Sequence, residues 1–314
     1  MTPGPVAEGS LPYIPGDRTL PGSMFEGTYT ALVTPFLQNQ VDEAAFTRLI
    51  EMQLAGGVTG VVPVGTTGES PTLNNDEHHR VIELAVKTVA GRCKVIAGTG
   101  SNSTLEAVNL TLEAERLGAD AALIVAPYYN KPTQAGLLAH FGEIASSVKI
   151  PIMLYSIPGR CGIEIGVDTV ATLAERHSNI VAIKESGGSV ERVSQLRAAL
   201  PPSFDVLSGD DALTLPFMSV GACGVVSVAS NIVPSQVAAL VSAALAGDYS
   251  AARKHHFHLY PLFRELFVES NPAPVKHALS RLGHMQPDVR LPLAPLLDSS
   301  RARVESAMRQ TGLI

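Results

Sequence analysis

Eight short apolar runs recur along this chain, and a helix-type run follows each of them. They lie at 28–35, 60–65, 95–100, 121–127, 150–157, 180–184, 204–209 and 224–230. Most are continuously apolar, as strands buried on both faces of a parallel sheet are. Between them, apolar residues recur at helical spacing behind capping residues. Asp42 is placed to cap a helix carrying Phe46, Leu49 and Ile50, which Gly56-Gly57 ends. Ser103 with Glu106 reads as a capping box, with Leu105, Val108 and Leu112 recurring behind it on one face. Asp168 and Ser189 open two more helices, and Pro234 fits the first position of another. Eight βα units in about 220 residues predict an α/β fold, a (β/α)8 TIM barrel. An open doubly wound sheet competes, but no G-x-G-x-x-G follows the first run.

After Gly247 the strand signal stops. Asp248 begins a long helical run through Leu259, Leu262, Leu266 and Phe267, with a kink predicted at Pro261. Pro272, Pro274 and Gly283 then punctuate shorter helices. Residues 1–23 hold five prolines and little apolar periodicity. The expected organisation is a flexible extension at 1–23, a catalytic barrel at 24–247 and a C-terminal helical domain at 248–314.

A net charge of -6 excludes the basic footprint of a nucleic-acid binder. No apolar run approaches a membrane span, and the first residues lack the apolar core of a signal peptide. Cys93, Cys161 and Cys223 are far apart, with no metal-type spacing. They fit a reducing compartment, and a cytoplasmic location is expected.

In such barrels, functional groups gather where strands end. The second run ends in Gly65-Thr66-Thr67-Gly68-Glu69-Ser70, and the fourth in Pro127-Tyr128-Tyr129. The fifth leads from Tyr155 to Arg160, the sixth stops at Lys184, and the seventh ends in Ser208-Gly209-Asp210-Asp211. Alone, each has a plain account: a snorkelling lysine, a hydrogen-bonded turn, core aromatics, a surface arginine. Together they bring an amine, hydroxyls, phenols and a guanidinium to one barrel face. That set suits imine catalysis, in which a lysine amine attacks a ketone and the iminium acidifies the adjacent carbon. A lysine at its ordinary pKa of about 10.4 is well under 1% free amine at neutral pH. A desolvated strand end inside a barrel favours the free form.

At these motifs, from about residue 24 to 283, the chain resembles the pyruvate-dependent, lysine Schiff-base aldolase superfamily, and within it the dihydrodipicolinate synthase family. The resemblance implies a barrel with a C-terminal helical domain, commonly a homotetramer built as a dimer of dimers. It implies condensation of pyruvate with L-aspartate 4-semialdehyde, with no cofactor beyond a covalent lysine–pyruvate imine. Lys184 matches the Schiff-base lysine. Thr67 matches the threonine that holds the pyruvate carboxylate, and Thr66 its partner in a proton relay. Tyr155 matches the tyrosine that assists imine formation, and Tyr129 one delivered from a neighbouring subunit. Arg160 matches the arginine that receives the second substrate's carboxylate. Gly209 and Val226 fall where the family lines its pyruvate pocket.

Many members of that family are inhibited by lysine at a subunit interface. Ser70, His78, Asn102, Glu106 and Tyr128 match that allosteric pocket, while Pro71 and Asn75 depart from the alanine and histidine of some sensitive members. A sialic acid or sugar-acid lyase would share the lysine, Tyr155 and the threonine turn. Arg160 and the 127–129 stretch favour the synthase. A non-catalytic pyruvate-binding protein is a reading of a different class, which the presence of Lys184, Tyr155 and Thr66 disfavours. No metal site is expected. His255, His256 and His258 read as a solvated helix face, and Asp210-Asp211 as a turn held by carboxylates.

Overall fold

The computed structural model describes residues 23–314. Eight parallel strands form a closed barrel: β1 (Gly27–Ala31), β2 (Gly60–Val62), β3 (Lys94–Gly98), β4 (Ala121–Val125), β5 (Ile152–Ser156), β6 (Ile180–Glu185), β7 (Asp205–Ser208) and β8 (Gly224–Ser227). β1 pairs with both β2 and β8, so the sheet has no edge and the open-sheet alternative is excluded. Around it run α1 (Glu43–Ala55), α2 (Asn75–Val89), α3 (Thr104–Arg116), α4 (Gln134–Ser147), the single turn α5 (Pro158–Cys161), α6 (Val167–Arg176), α7 (Val190–Ala199), α8 (Thr214–Met218) and α9 (Pro234–Leu245). Three further helices follow: α10 (Tyr249–Glu265), α11 (Ala273–Arg281) and α12 (Asp298–Gln310). α10 packs on α9 and α12. Of the expected extension at 1–23, all but Ser23 lies outside the described residues.

Alternation along the strands decides which side chains meet inside. Tyr29, Val62, Ile96, Leu123, Met153, Tyr155, Ala182, Leu207 and Val226 share the inner core. Leu154, Ile183, Val206 and Val225 face the helices instead. Because residues i and i+2 point the same way, Ala182 fixes Lys184 as inward-facing, and Leu207 does the same for position 209. The opposite end of the barrel is closed by Phe25 and Tyr29. Asp205 clamps the incoming chain there, accepting from Ser23 Oγ, Met24 N and Phe25 N, each at 2.8 Å.

Several local expectations hold. Asp42 accepts from Ala45 N at 2.9 Å, Ser189 caps α7, Asp248 caps α10 and Pro234 opens α9. Pro261 lies inside α10. Others need correction. The first run stops at Ala31 as a strand because Asn231 takes over its hydrogen bonds, donating to Ala31 O at 2.7 Å and accepting from Val33 N at 3.2 Å. β2 ends at Val62, and Val64 enters the left-handed region at φ 48°. Gly166, not Asp168, occupies the N-cap of α6; Asp168 lies in the first turn, where an acid favours the helix dipole.

The leucine stripe of α3 is not its core face. Leu105 is 72% exposed and Leu112 41%, while Ala107, Thr111 and Ala114 are buried. Small residues let α3 approach the barrel closely, and Thr111 Oγ1 donates to Thr99 Oγ1 at 2.8 Å. On α10, His256 is buried on the same face as Ala252, Leu259 and Phe263, with the exposed Phe257 and Tyr260 rings also beside it. Its helical spacing puts it inside, and burial pushes its imidazole pKa down. Only His255 and His258 belong to the more exposed side.

Candidate active site

The C-terminal ends of β2, β4, β5, β6 and β7 build the site. Lys184 is 6% exposed, yet among the described residues no carboxylate pairs with it. Its Nζ lies 4.0 Å from the centroid of the Tyr155 ring. The strand register explains the meeting, since Tyr155 and Lys184 are Cα partners across β5 and β6. The next residue points outward and anchors the strand end. Glu185 is fully buried, accepts from Arg192 Nε at 2.8 Å and from Gly187 N at 2.6 Å, and so ties β6 to α7.

Gly209 supplies the floor beside the lysine. A methyl group built on it would sit 1.9 Å from Ser186 Oγ and 2.8 Å from Lys184 Cε. Only glycine leaves room for the lysine stem there. Val226 is buried on the inner face of β8. The Asp210-Asp211 turn is held as expected. Asp210 accepts from Ala212 N at 2.9 Å, and the fully buried Asp211 accepts from Ser227 Oγ, Val228 N and Ala229 N. Burial nevertheless pushes the Asp211 carboxyl up, to about 6.

The turn at 65–68 is built to meet an anion. Gly68 N and Ser70 N both donate to Gly65 O, and Thr34 Oγ1 donates to Gly68 O at 2.7 Å. Among the described residues, the N–H groups of Thr66 and Thr67 find no acceptor. Paired free amides in a tight turn make a small anion cradle. Glu69 follows at φ 55°, buried and ion-paired with Lys276 of α11. Glu69 also accepts from Arg290 N at 3.0 Å. Burial drives the Lys276 amine below its ordinary pKa, against the pull of Glu69. Thr67 is buried, and Asn271 Nδ2 donates to its Oγ1 at 2.9 Å.

Thr66, Tyr155 and Arg160 line a cavity of about 380 Å³ together with Gly65, Ser101 and Cys161. The same cavity reaches Ser70, His78, Glu106 and Tyr128. One cavity thus touches residues of both groups, the expected catalytic one and the expected allosteric one. Lys184, Thr67, Gly209 and Val226 do not line it; Tyr155 does, with Lys184 Nζ over its ring. Arg160 is exposed on α5, at the mouth. Tyr129 is 90% exposed and holds φ 74°, so it points away from its own chain's cavity lining. Asn102 lies beside that loop, and its carbonyl accepts from Asn130 Nδ2 at 2.8 Å.

The Ser103–Glu106 box is half formed. Ser103 Oγ accepts from Glu106 N at 3.4 Å, but the Glu106 carboxylate turns to Ser101 Oγ instead. That turn brings the carboxylate into the cavity, near Tyr128, whose pKa is raised by burial and by Glu106. His78 Nε2 donates to Gly98 O at 2.9 Å, and burial lowers its pKa to about 4. Ser101 and Asn271 are neighbours of the site that pattern reading misses. Asn271 reaches Thr67 from 204 positions away, and only Ser101, two residues before Ser103, carries a local signal.

The sequence matches the Dihydrodipicolinate synthetase family over residues 24–311. It is 50% identical over 290 residues to 4-hydroxy-tetrahydrodipicolinate synthase of Aquifex aeolicus (strain VF5), covering 92% of this chain and 99% of that protein. The fold superposes on the 4-hydroxy-tetrahydrodipicolinate synthase of Methylacidiphilum fumariolicum SolV with a TM-score of 0.91, at 55% identity, covering 92% of this chain and 96% of that one. It also matches the lysine-bound enzyme of Cyanidioschyzon merolae with a TM-score of 0.90, at 42% identity, covering 93% of this chain and 100% of that one. A closed barrel with an inward lysine beside a tyrosine, an anion-ready threonine turn and relatives matched over nearly their whole length lead to one conclusion: the chain belongs to the dihydrodipicolinate synthetase family.

Proposed function

We propose that this chain is a lyase that condenses pyruvate with L-aspartate 4-semialdehyde, giving 4-hydroxy-tetrahydrodipicolinate on the route to diaminopimelate and lysine. The observation that carries this reading is the buried, unpaired Lys184 amine against Tyr155, on the barrel face that also presents the free amides of Thr66 and Thr67. Lys184 Nζ attacks the ketone carbon of pyruvate, the oxygen leaves as water, and the imine forms. Loss of a methyl proton gives the enamine. Its carbon attacks the aldehyde, and the amino group of the second substrate displaces Lys184 as the ring closes. The imine is itself the electron sink, so the chemistry runs without a cofactor.

Thr67 and its turn take the pyruvate carboxylate. Thr66, Tyr155 and a Tyr129 from a neighbouring subunit relay protons. Arg160 takes the carboxylate of the semialdehyde, its planar fork being suited to bidentate binding. Gly209 and Val226 bound the pyruvate pocket. The exposure of Tyr129 and of Leu105 supports assembly as a homotetramer, a dimer of dimers. Lysine acts as feedback inhibitor through Ser70, His78, Asn102, Glu106 and Tyr128; the shared cavity and the lysine-bound relative support this. Among the described residues no helix is long and apolar enough to cross a membrane, and we place the enzyme in the cytoplasm. The 24–247 barrel is the catalytic domain and 248–314 a helical one.

The test is turnover with pyruvate and the semialdehyde, coupled to a reductase that consumes the product. Activity that needs both substrates is expected. Cleavage of sialic or sugar acids without semialdehyde turnover would contradict the reading.

A further inference from the structure

Thr67 is held from outside the barrel. Asn271, between α10 and α11, lies 204 positions away in sequence and donates Nδ2–H to Thr67 Oγ1 at 2.9 Å. It is 5% exposed, and its Oδ1 is buried without a partner among the described residues. A buried carboxamide with an unused acceptor is costly, so its one strong bond to Thr67 merits an account.

A hydroxyl has one hydrogen and two lone pairs. With one lone pair engaged by Asn271, the Thr67 hydrogen is released for another acceptor. We propose that Asn271 is a positioning residue for pyruvate: by donating to Thr67 Oγ1, it directs the Thr67 hydroxyl hydrogen to the bound carboxylate. This rests on the reading that Thr67 holds that carboxylate. The Lys276–Glu69 pair and the Arg290 N to Glu69 bond tie the same turn to the C-terminal helices. The segment after α10 thereby becomes part of the pyruvate site, although it contributes no group to the reacting atoms.

The experiment uses Asn271→Ala, Asn271→Asp and Thr67→Val in the full-length enzyme, with kinetics in both substrates and pyruvate-dependent borohydride trapping. Asn271→Ala should raise the pyruvate KM about five- to tenfold, the range of one lost hydrogen bond. Asn271→Asp should raise it further, because its carboxylate accepts the Thr67 hydrogen and repels the substrate anion. The semialdehyde KM and the trapped yield at saturating pyruvate should hold in both. In a Thr67→Val background, Asn271→Ala should add nothing. Thr67→Val without effect on the pyruvate KM would sink the reading on which this rests. Thr67→Val with a raised KM, beside an Asn271→Ala that leaves it unchanged, lowers kcat alone or fails to fold while Asn271→Asp keeps wild-type KM, would overturn the Asn271 role by itself.

Discussion

At the scale of single residues, position 209 shows how narrowly the site is built. Any side chain there collides with Lys184 Cε and Ser186 Oγ. We predict that Gly209→Ala folds normally by circular dichroism but loses about a hundredfold in kcat/KM, as displacement of a reacting group by about 1 Å does. Wild-type kinetics in that variant would show that the lysine does not use this space. Arg160 is exposed at the cavity mouth and far less constrained. Arg160→Ala should still form the pyruvate imine but raise the semialdehyde KM. The loss in kcat/KM should correspond to about 2–3 kcal/mol for a charged hydrogen bond. Loss of pyruvate binding with intact semialdehyde kinetics would reverse the assignment. That Lys184, Tyr155, Thr66 and Arg160 gather at one barrel face was legible because strand ends are where barrels keep their chemistry. Asn271 was not, because it is defined by a partner far along the chain.

Among elements, α3 departs most from its pattern. Its leucines recur at helical spacing, yet its alanines and Thr111 face the barrel. Periodicity identifies an apolar stripe but not which surface covers it, and Leu105 with Tyr129 is left exposed, where the proposed assembly would cover them. Leu105→Glu should therefore weaken association in sedimentation velocity and lower activity with it, on the proposal that Tyr129 acts in trans. A stable wild-type assembly with Leu105→Glu would place the interface elsewhere. The start of α3 also carries Glu106, whose carboxylate faces the cavity by way of Ser101. Activity should fall with millimolar lysine in the wild type and not in Glu106→Ala. A flat wild-type response would end the regulatory reading, and inhibition that survives Glu106→Ala would put the lysine in another site. Strand boundaries were less legible than strand existence, because side chains such as Asn231 end the ladder early.

In the whole molecule, two buried imidazoles tie stability to pH. Burial lowers His78 and His140 from 6.5 to about 4. Between those values the unfolded chain binds protons that the folded one does not. Stability is therefore complete above about pH 6.5 and declines as pH falls toward 4, by up to about 3 kcal/mol per histidine. Urea midpoints between pH 7 and 4.5 should fall steeply in the wild type and less steeply in His140→Asn. Parallel curves would contradict the linkage. The eightfold alternation made the barrel readable, because closing the ring satisfies every strand at once. The proposed reaction turns on one amine, and borohydride reduction in the presence of pyruvate, read by peptide mass, tests that claim most directly. The adduct should form on the peptide carrying Lys184 and be absent from Lys184→Ala; an adduct of undiminished yield in Lys184→Ala would contradict it.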